Sequence, residues 1–163
     1  MRSSRGSRKW SASSRKVSGM RENEDKGFAG EGMYRENILD HYKHPRNSHS
    51  LPHAAVEHTE LNPVCGDRLT YRFSFDAKGH ISAVSLHAQG CAISVAAGSM
   101  LSDELKGKTP AQVAKLSHKD IVELLGIELS PVRLKCAMLS LDTAKNALRI
   151  HENYIQKASG KGK

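Results

Sequence analysis

The 163-residue chain has little of several features that define large classes of proteins. It has only three cysteines, and this odd, sparse number argues against a secreted domain held by disulfides. No apolar run reaches the roughly 18–20 residues that a membrane span needs, which excludes an integral membrane protein. A phosphate loop of the G-x-x-x-x-G-K type is also lacking. We therefore expect a reducing compartment, the cytoplasm, in which the thiols are free or bound to metal.

The positive charge of the chain is concentrated at its two ends. Lysine and arginine number 25 against 17 acidic residues, a net charge of +8. The segment between the ends is nearly balanced, so it lacks the basic face of a nucleic-acid-binding domain. We therefore predict a disordered basic leader at 1–32, one domain at 33–156 and a disordered basic tail at 157–163. We expect neither a specific nucleic acid nor a membrane as a partner.

The leader has two further interpretations. Met33 is an alternative start of the chain, which would place everything before it outside the protein. The Arg- and Ser-rich composition of the leader is also compatible with an organellar transit peptide, although its few apolar residues give poor support to the amphipathic helix that such a peptide needs.

The front half of the predicted domain contains one helix and a small sheet. Tyr34, Ile38 and Tyr42 recur at helical spacing, and Pro45 ends this helix. A weak strand signal at 54–61 precedes a turn-rich loop. Apolar and polar residues then alternate over 68–75 and, after a turn, over 84–88, which predicts a hairpin of half-buried strands.

The period of the apolar residues changes to that of helices after Gly90. Helical stripes run through 93–105 and 134–148, and two short helices are predicted between them. The order of a helix, a small antiparallel sheet and several helices predicts an α+β fold.

The three cysteines, Cys65, Cys91 and Cys136, are the main candidates for chemistry. They are separated by 26 and 45 residues, and no C-x-x-C pair is present, so their spacing does not identify a zinc finger. Cys65 lies in a turn, and Asp67 offers a carboxylate two residues later. Cys91 begins a helix, and Cys136 lies in the first turns of the last helix. Both a shared metal site and three separate, packed cysteines are compatible with these positions.

Local charge predicts that two of these thiols ionise readily. The partial positive charge at a helix N-terminus lowers the pKa of a thiol, which applies to Cys91 and Cys136. Arg133 and Lys135 precede Cys136 and act in the same direction. Three thiolates and Asp67 around Zn²⁺ or Fe²⁺ would form a tetrahedral site with a net charge of about −2, which the two cations would offset.

Four strings of the sequence resemble the motifs of one family. They are YRENILDHYKHPRN at 34–47, NPVCGDR at 62–68, QGCAIS at 89–94 and RLKCAMLS at 133–140. They are similar to the first helix and the three cysteine motifs of the IscU/SufU/NifU-N-terminal family of iron–sulfur cluster assembly proteins. The resemblance runs from about residue 33 to about residue 154. It implies an α+β fold in which helices pack on a three-stranded antiparallel sheet.

The resemblance also implies a site and its partners. Cys65, Asp67, Cys91 and Cys136 are expected to meet at one exposed end as metal ligands, and the three cysteines are expected to hold iron or a labile [2Fe–2S] cluster. Members of the family accept persulfide sulfur from a cysteine desulfurase that contains pyridoxal phosphate, and clusters pass to downstream acceptor proteins.

The sequence lies between two types within this family. Scaffolds of the IscU type carry a histidine directly before the last cysteine, within a Leu-Pro-Pro-Val-Lys stretch read by a chaperone; here 129–133 reads LSPVR and Lys135 replaces the histidine. The NPVCGDR, GCAIS and RLKC strings resemble the SufU type. That type carries an insertion before the last cysteine, for which the gap between Cys91 and Cys136 has no room.

We therefore expect a scaffold that accepts sulfur first at Cys136, with Arg133 and Lys135 supporting the charge. The alternative is a SufU-type sulfurtransferase that holds Zn²⁺ and takes sulfur at Cys65. A structural zinc domain without sulfur traffic is the third hypothesis. Neither of the first two is a self-sufficient enzyme, because the carbon–sulfur bond is cleaved by the partner.

Overall fold

The computed structural model describes residues 26–160, with side chains from residue 32 onward. Most of the predicted leader and the last three residues of the predicted tail lie outside this range. The elements are α1 (Lys26–Lys43), β1 (Val56–Asn62), β2 (Asp67–Phe75), β3 (Ile81–Gln89), α2 (Ala92–Leu105), α3 (Pro110–Ala114), α4 (His118–Leu125) and α5 (Pro131–Ser159). Within residues 26–160, no helix is both long enough and apolar enough to cross a membrane.

Helix α1 begins earlier than the domain boundary predicted at residue 33. It starts at Lys26, and its first two turns include Gly27 and Gly30, whose low helix propensity gave the sequence no helical signal there. The helix ends at Lys43, before Pro45, as predicted. The domain boundaries themselves stay predictions.

The sheet has the strand order β1-β2-β3, and both pairings are antiparallel. Tyr71 of β2 lies opposite His58 of β1 on one side and Leu86 of β3 on the other. Together with the surrounding helices, this sheet confirms the predicted α+β fold and its three strands.

One face of the sheet forms the core with α2 and α5. Leu69, Tyr71 and Phe73 on the central strand are fully buried. Gly98 lets α2 approach this face, because a Cβ there would lie 2.8 Å from Leu69 Cδ1. The Tyr71 hydroxyl donates a hydrogen bond of 2.7 Å to the Gly98 carbonyl, and burial raises the pKa of Tyr71 well above its ordinary value. The core thus fixes α2 against the central strand.

The last helix, α5, is 29 residues long, or roughly 43 Å at 1.5 Å per residue. Ser130 caps its N-terminus by accepting a hydrogen bond of 3.3 Å from the Arg133 N–H, and Pro131 occupies its first turn. Its buried stripe, with Ala137, Leu141 and Ala144, packs against α2 and the sheet. The first turns of α5 reach the end of the sheet at which β1 turns into β2.

Candidate metal centre

Cys65 lies near the tip of the tight turn between β1 and β2. Asn62 closes this turn twice: its carbonyl accepts a hydrogen bond of 2.7 Å from Gly66 N–H, and its side-chain Oδ1 accepts one of 3.2 Å from Val64 N–H. Gly66 has a φ of +74°, a left-handed conformation that glycine adopts without strain. The Cys65 side chain is exposed as a result.

Asp67 begins β2 and is only 1% exposed. Its Oδ1 accepts a hydrogen bond of 3.0 Å from the Cys91 N–H, and its Oδ2 lies 3.9 Å from Cys91 Sγ. Because burying a carboxylate is unfavourable unless it is paired, the backbone donor is the partner that holds it in place. Asp67 thereby joins the β1–β2 turn to the start of α2.

Gly90 makes room for this carboxylate. It has a φ of +152°, and a Cβ at this position would lie 2.2 Å from Asp67 Oδ1. Any side chain here would therefore displace the carboxylate or the backbone.

Cys91 is the N-cap of α2, as its position after Gly90 predicts. Its Sγ accepts a hydrogen bond of 3.4 Å from the Ser94 N–H, one of the unpaired donors of the first turn. The side chain is half-buried. Because of its contacts with the Ser94 N–H and Asp67 Oδ2, the sulfur lies between the helix N-terminus and the carboxylate.

Cys136 lies in the second turn of α5 and is fully buried. Its Sγ lies 3.2 Å from Cys65 Sγ, although the two residues are 71 positions apart, and 3.9 Å from Asn62 Nδ2. Burial, reinforced by hydrogen bonding with Cys65, Asp67 and Cys91, raises the pKa of Cys136. The predicted low pKa of Cys136 is therefore wrong for the protein without metal, because burial and neighbouring acidic groups outweigh the helix N-terminus.

Arg133 and Lys135 precede Cys136 on α5, and both side chains are exposed. Lys135 lines a groove of about 380 Å³ that begins beside Asn62. Burial raises the pKa of Asp142 on the wall of this groove. The role of Arg133 and Lys135 in offsetting the charge of the site stays a prediction.

Three of the four predicted ligands form a compact group. One ligand atom each from Cys65, Asp67 and Cys136 lies within 4.8 Å of the other two. Cys91 is outside this mutual group, and its sulfur approaches the group through the Asp67 carboxylate and through Cys136.

The donor set fits a tetrahedral metal ion. Zn–S bonds of about 2.3 Å place ligand sulfurs about 3.8 Å apart in a tetrahedral site. The sulfurs of Cys65 and Cys136 are slightly closer than this, at 3.2 Å, and the contact between Cys91 and Asp67 is 3.9 Å. Thiolates are also the ligands of iron–sulfur clusters, so the same residues fit either cargo.

Two residues of this centre were not identified as contributors from the sequence. The turn-forming pair at 62–63 and the glycine before Cys91 are visible in the sequence, but they indicate only local bends. That Asn62 contacts Cys136 and that Gly90 packs against Asp67 follows from the three-dimensional fold.

The chain is similar to proteins of iron–sulfur cluster assembly. Residues 33–158 match the family model described as NifU-like N terminal domain. A relative from Drosophila melanogaster, named iron-sulfur cluster assembly enzyme IscU, is 35% identical over 128 residues, which are 77% of this chain and 82% of the relative. The zinc-dependent sulfurtransferase SufU of Bacillus subtilis (strain 168) is 34% identical over 125 residues, which are 66% of this chain and 84% of that protein.

A solved structure has the same fold. The crystal structure of a candidate iron–sulfur cluster assembly scaffold protein for the SUF system, from Fervidobacterium islandicum AW-1, aligns with a TM-score of 0.59 and 27% sequence identity. The alignment covers 69% of this chain and 94% of that structure.

Proposed function

The chain belongs to the family of NifU-like N-terminal domains, and we propose that it is a scaffold of iron–sulfur cluster assembly that accepts persulfide sulfur from a cysteine desulfurase. Iron and a labile [2Fe–2S] cluster are its cargo, and downstream iron–sulfur proteins are the recipients. The observation that carries the proposal is the convergence of Cys65, Asp67 and Cys136 from distant segments, with Cys91 against Asp67.

The ligand chemistry supports a site that releases its cargo. Cys65, Cys91 and Cys136 supply soft sulfur ligands, which iron–sulfur clusters require. Asp67 supplies a harder oxygen ligand, which binds such metals less firmly and makes the cargo easier to transfer. Arg133 and Lys135, near the start of α5, offset part of the negative charge that three thiolates and a carboxylate bring together.

Exposure favours Cys65 as the first residue to take sulfur. A partner's persulfide must reach the accepting sulfur directly, because sulfane sulfur moves by nucleophilic attack through a shared S–S bond. Cys65 is exposed at the tip of its turn, whereas Cys136 is fully buried behind it. Cys136, the first acceptor expected from the sequence, is then reached only through Cys65.

A second function is favoured by the compactness of the ligand group. Three ligand atoms within 4.8 Å of one another suit a single ion, and a relative with 34% identity is a zinc-dependent sulfurtransferase. In this alternative Cys65, Asp67, Cys91 and Cys136 hold Zn²⁺, and one ligand is released to relay sulfur without a cluster.

One experiment separates the two functions. The full chain is purified without oxygen, its metal is measured, and it is incubated with iron, cysteine and a desulfurase. A scaffold turns brown with visible charge-transfer bands. A zinc carrier retains stoichiometric zinc, stimulates the desulfurase and forms no cluster. If desulfurase activity is unchanged by the chain and metal removal unfolds it, the centre is a structural zinc site instead.

We also propose the cytoplasm as the compartment in which the protein works. Three free cysteines, of which two have sulfurs in contact, need reducing conditions to stay available as ligands. Fractionation of the source cells with a tag at the C-terminus tests this assignment, and recovery in an organelle fraction contradicts it.

A further inference from the structure

The two cysteines that touch differ in access. Cys65 Sγ and Cys136 Sγ are 3.2 Å apart, yet Cys65 is exposed and Cys136 is fully buried. Cys65 lies in the β1–β2 turn and Cys136 in α5. Asn62 links the turn to the helix, because its side chain accepts a hydrogen bond from Val64 N–H and donates one to Cys136 Sγ. The pair is thus a built feature of the fold that combines one accessible sulfur with one protected sulfur.

From this contact we infer that Cys136 is a resolving thiol, which cleaves a persulfide carried by Cys65 and releases sulfide. The inference rests on the proposed function in one respect: Cys65 must receive sulfur. It adds a chemical step that the chain performs by itself, the reduction of sulfane sulfur to sulfide.

The step is balanced within the protein. The Cys136 thiol gives up its proton as its sulfur attacks Cys65 Sγ; a new Sγ–Sγ bond forms, and the bond from Cys65 Sγ to the terminal sulfur breaks. The terminal sulfur takes the electron pair of the broken bond and the proton of the Cys136 thiol, and it leaves as hydrogen sulfide. The two cysteine sulfurs supply the two electrons and end as a disulfide, so no external oxidant or reductant takes part.

The geometry favours attack on the inner sulfur. Exchange at sulfur requires the attacking, central and leaving sulfurs to lie nearly in line. In-line attack by Cys136 requires the terminal sulfur to lie on the side of Cys65 Sγ that faces away from Cys136, and the exposure of Cys65 is compatible with this position. A contact of 3.2 Å leaves no room for a further sulfur atom between the two residues, which disfavours simple transfer of the terminal sulfur to Cys136.

Cys91 is less suited to this role than Cys136. Its sulfur accepts the Ser94 N–H, faces the Asp67 carboxylate and interacts with Cys136, but it does not belong to the mutual group that contains the Cys65 sulfur. The matched control is Ser140→Ala, because Ser140 is buried one turn after Cys136 on α5 and its hydroxyl donates a hydrogen bond of 2.9 Å to the Ala137 carbonyl rather than to a ligand.

The test uses the full chain treated with a chelator and loaded with sulfur by two separate donors. One donor is a cysteine desulfurase with cysteine, and the other is inorganic polysulfide followed by rapid desalting. Released sulfide, intact mass and a peptide map without reductant are measured. We expect the unmodified chain to release one sulfide per disulfide and to show a linked Cys65–Cys136 peptide pair.

The variants assign the roles. Cys136→Ala should keep the additional sulfur on Cys65 and release sulfide at least about 10-fold more slowly, because the neighbouring nucleophile is lost. Ser140→Ala should behave as the unmodified chain does. Circular dichroism verifies folding, and Cys136→Ser replaces the alanine variant if the latter loses helix content.

Three results would overturn the inference: additional sulfur that stays on Cys65 of the unmodified chain, additional sulfur found on Cys136, or a linked Cys65–Cys91 pair. The two donors separate this failure from failure of the proposed function. If polysulfide produces the linked pair and the desulfurase loads nothing, sulfur acceptance is refuted and the resolving step stands. If neither donor loads Cys65, both are refuted.

Discussion

Asp67 and Asp76 lie at opposite ends of strand β2. Both carboxylates accept hydrogen bonds from backbone N–H groups, but the donors to Asp76 are near it in the sequence and the donor to Asp67 is far from it. Asp76 is exposed and accepts hydrogen bonds of 2.9 Å from the N–H groups of Lys78 and His80, within its own turn. Asp67 is buried and accepts from the N–H of Cys91, 24 residues away. The first arrangement is complete within five residues, whereas the second exists only when β2 and α2 are both in place. The position of the Asp67 carboxylate in the candidate metal centre therefore depends on the tertiary fold.

Removing the carboxylate of Asp67 and that of Asp76 in separate variants should give the largest difference, which is in metal affinity. Loss of a residue that only hydrogen-bonds to a metal ligand lowers metal affinity about 10- to 100-fold. Asp67→Ala removes a proposed ligand itself, so we expect a larger loss of zinc affinity. In the scaffold function the same change should prolong the lifetime of a reconstituted cluster, because the labile oxygen ligand is gone. Zinc competition and visible absorbance measure these effects.

Asp76→Ala is the control for this change, because it removes a carboxylate from the other end of the same strand. It should leave both metal affinity and cluster lifetime unchanged. If Asp67→Ala is equally silent, Asp67 is not part of the centre.

A pair of glycines extends the comparison to the backbone. Gly79 and Gly90 both have positive φ, but a Cβ at Gly79 meets open space, whereas one at Gly90 would lie 2.2 Å from Asp67 Oδ1. Gly79→Ala should destabilise the fold by about 1–2 kcal/mol through the strained backbone alone. Gly90→Ala should cost about 2–5 kcal/mol, because overpacking adds to the strain. Denaturant unfolding measures both, and only Gly90→Ala should also weaken zinc retention.

Equal unfolding free energies for the two glycine variants would contradict the close packing of Gly90 on Asp67. Zinc retention in Gly79→Ala serves as the internal control, since this turn is remote from the ligands.

Asn62 should show a smaller effect that is specific to the metal end. Asn62→Ala removes the acceptor of the Val64 N–H and the donor to Cys136 Sγ, so we expect a loss of about 1 kcal/mol in stability and faster exchange of the Val64 amide hydrogen. Thr59→Ala on the same strand removes a hydroxyl contact of 2.7 Å with Thr70 and is the matched control. Only the Asn62 variant should change metal retention. If both variants retain metal equally well, Asn62 stabilises the turn but does not contribute to the metal centre.

The smallest effect is expected at the acidic limit of stability. The backbone N–H groups of His80 and Lys78 hold the pKa of Asp76 below its ordinary value of 3.8. The stabilisation by the charged carboxylate is therefore present above pH 3.8 and is lost as the pH falls through the lowered pKa. Asp76→Asn keeps an acceptor oxygen but should flatten this part of the profile in thermal unfolding measured below pH 4. An unchanged profile would mean that other carboxylates account for it.

The same contrast explains what the sequence predicts well. The alternation over β2 and β3 and the turn between these strands are local features, and both agree with the structure. The family resemblance predicted the three-stranded sheet, which the structure confirms. It also predicted a site formed by Cys65, Asp67, Cys91 and Cys136, and the structure brings ligand atoms of Cys65, Asp67 and Cys136 together.

Other features lay beyond local patterns. Helix α1 begins at Lys26, before the predicted boundary, and this first part contains glycines and no apolar residues at helical spacing that would predict a helix. The raised pKa of Cys136 depends on burial, and no neighbour in sequence reports how deeply a side chain is packed. The roles of Asn62 and Gly90 depend on residues 74 and 23 positions away, respectively, that meet only in the folded chain.

Cys65 and Cys136, whose sulfurs are in contact, lie far apart in the sequence, and translation therefore produces them at different times. Cys65, Asp67 and Cys91 emerge first, and Cys136 is synthesised 45 residues after Cys91. A nascent chain therefore exposes an incomplete ligand set until its final helix has been made and has docked. If the four residues bind a metal as proposed, a complete ligand set is available only after synthesis and folding of the domain are finished.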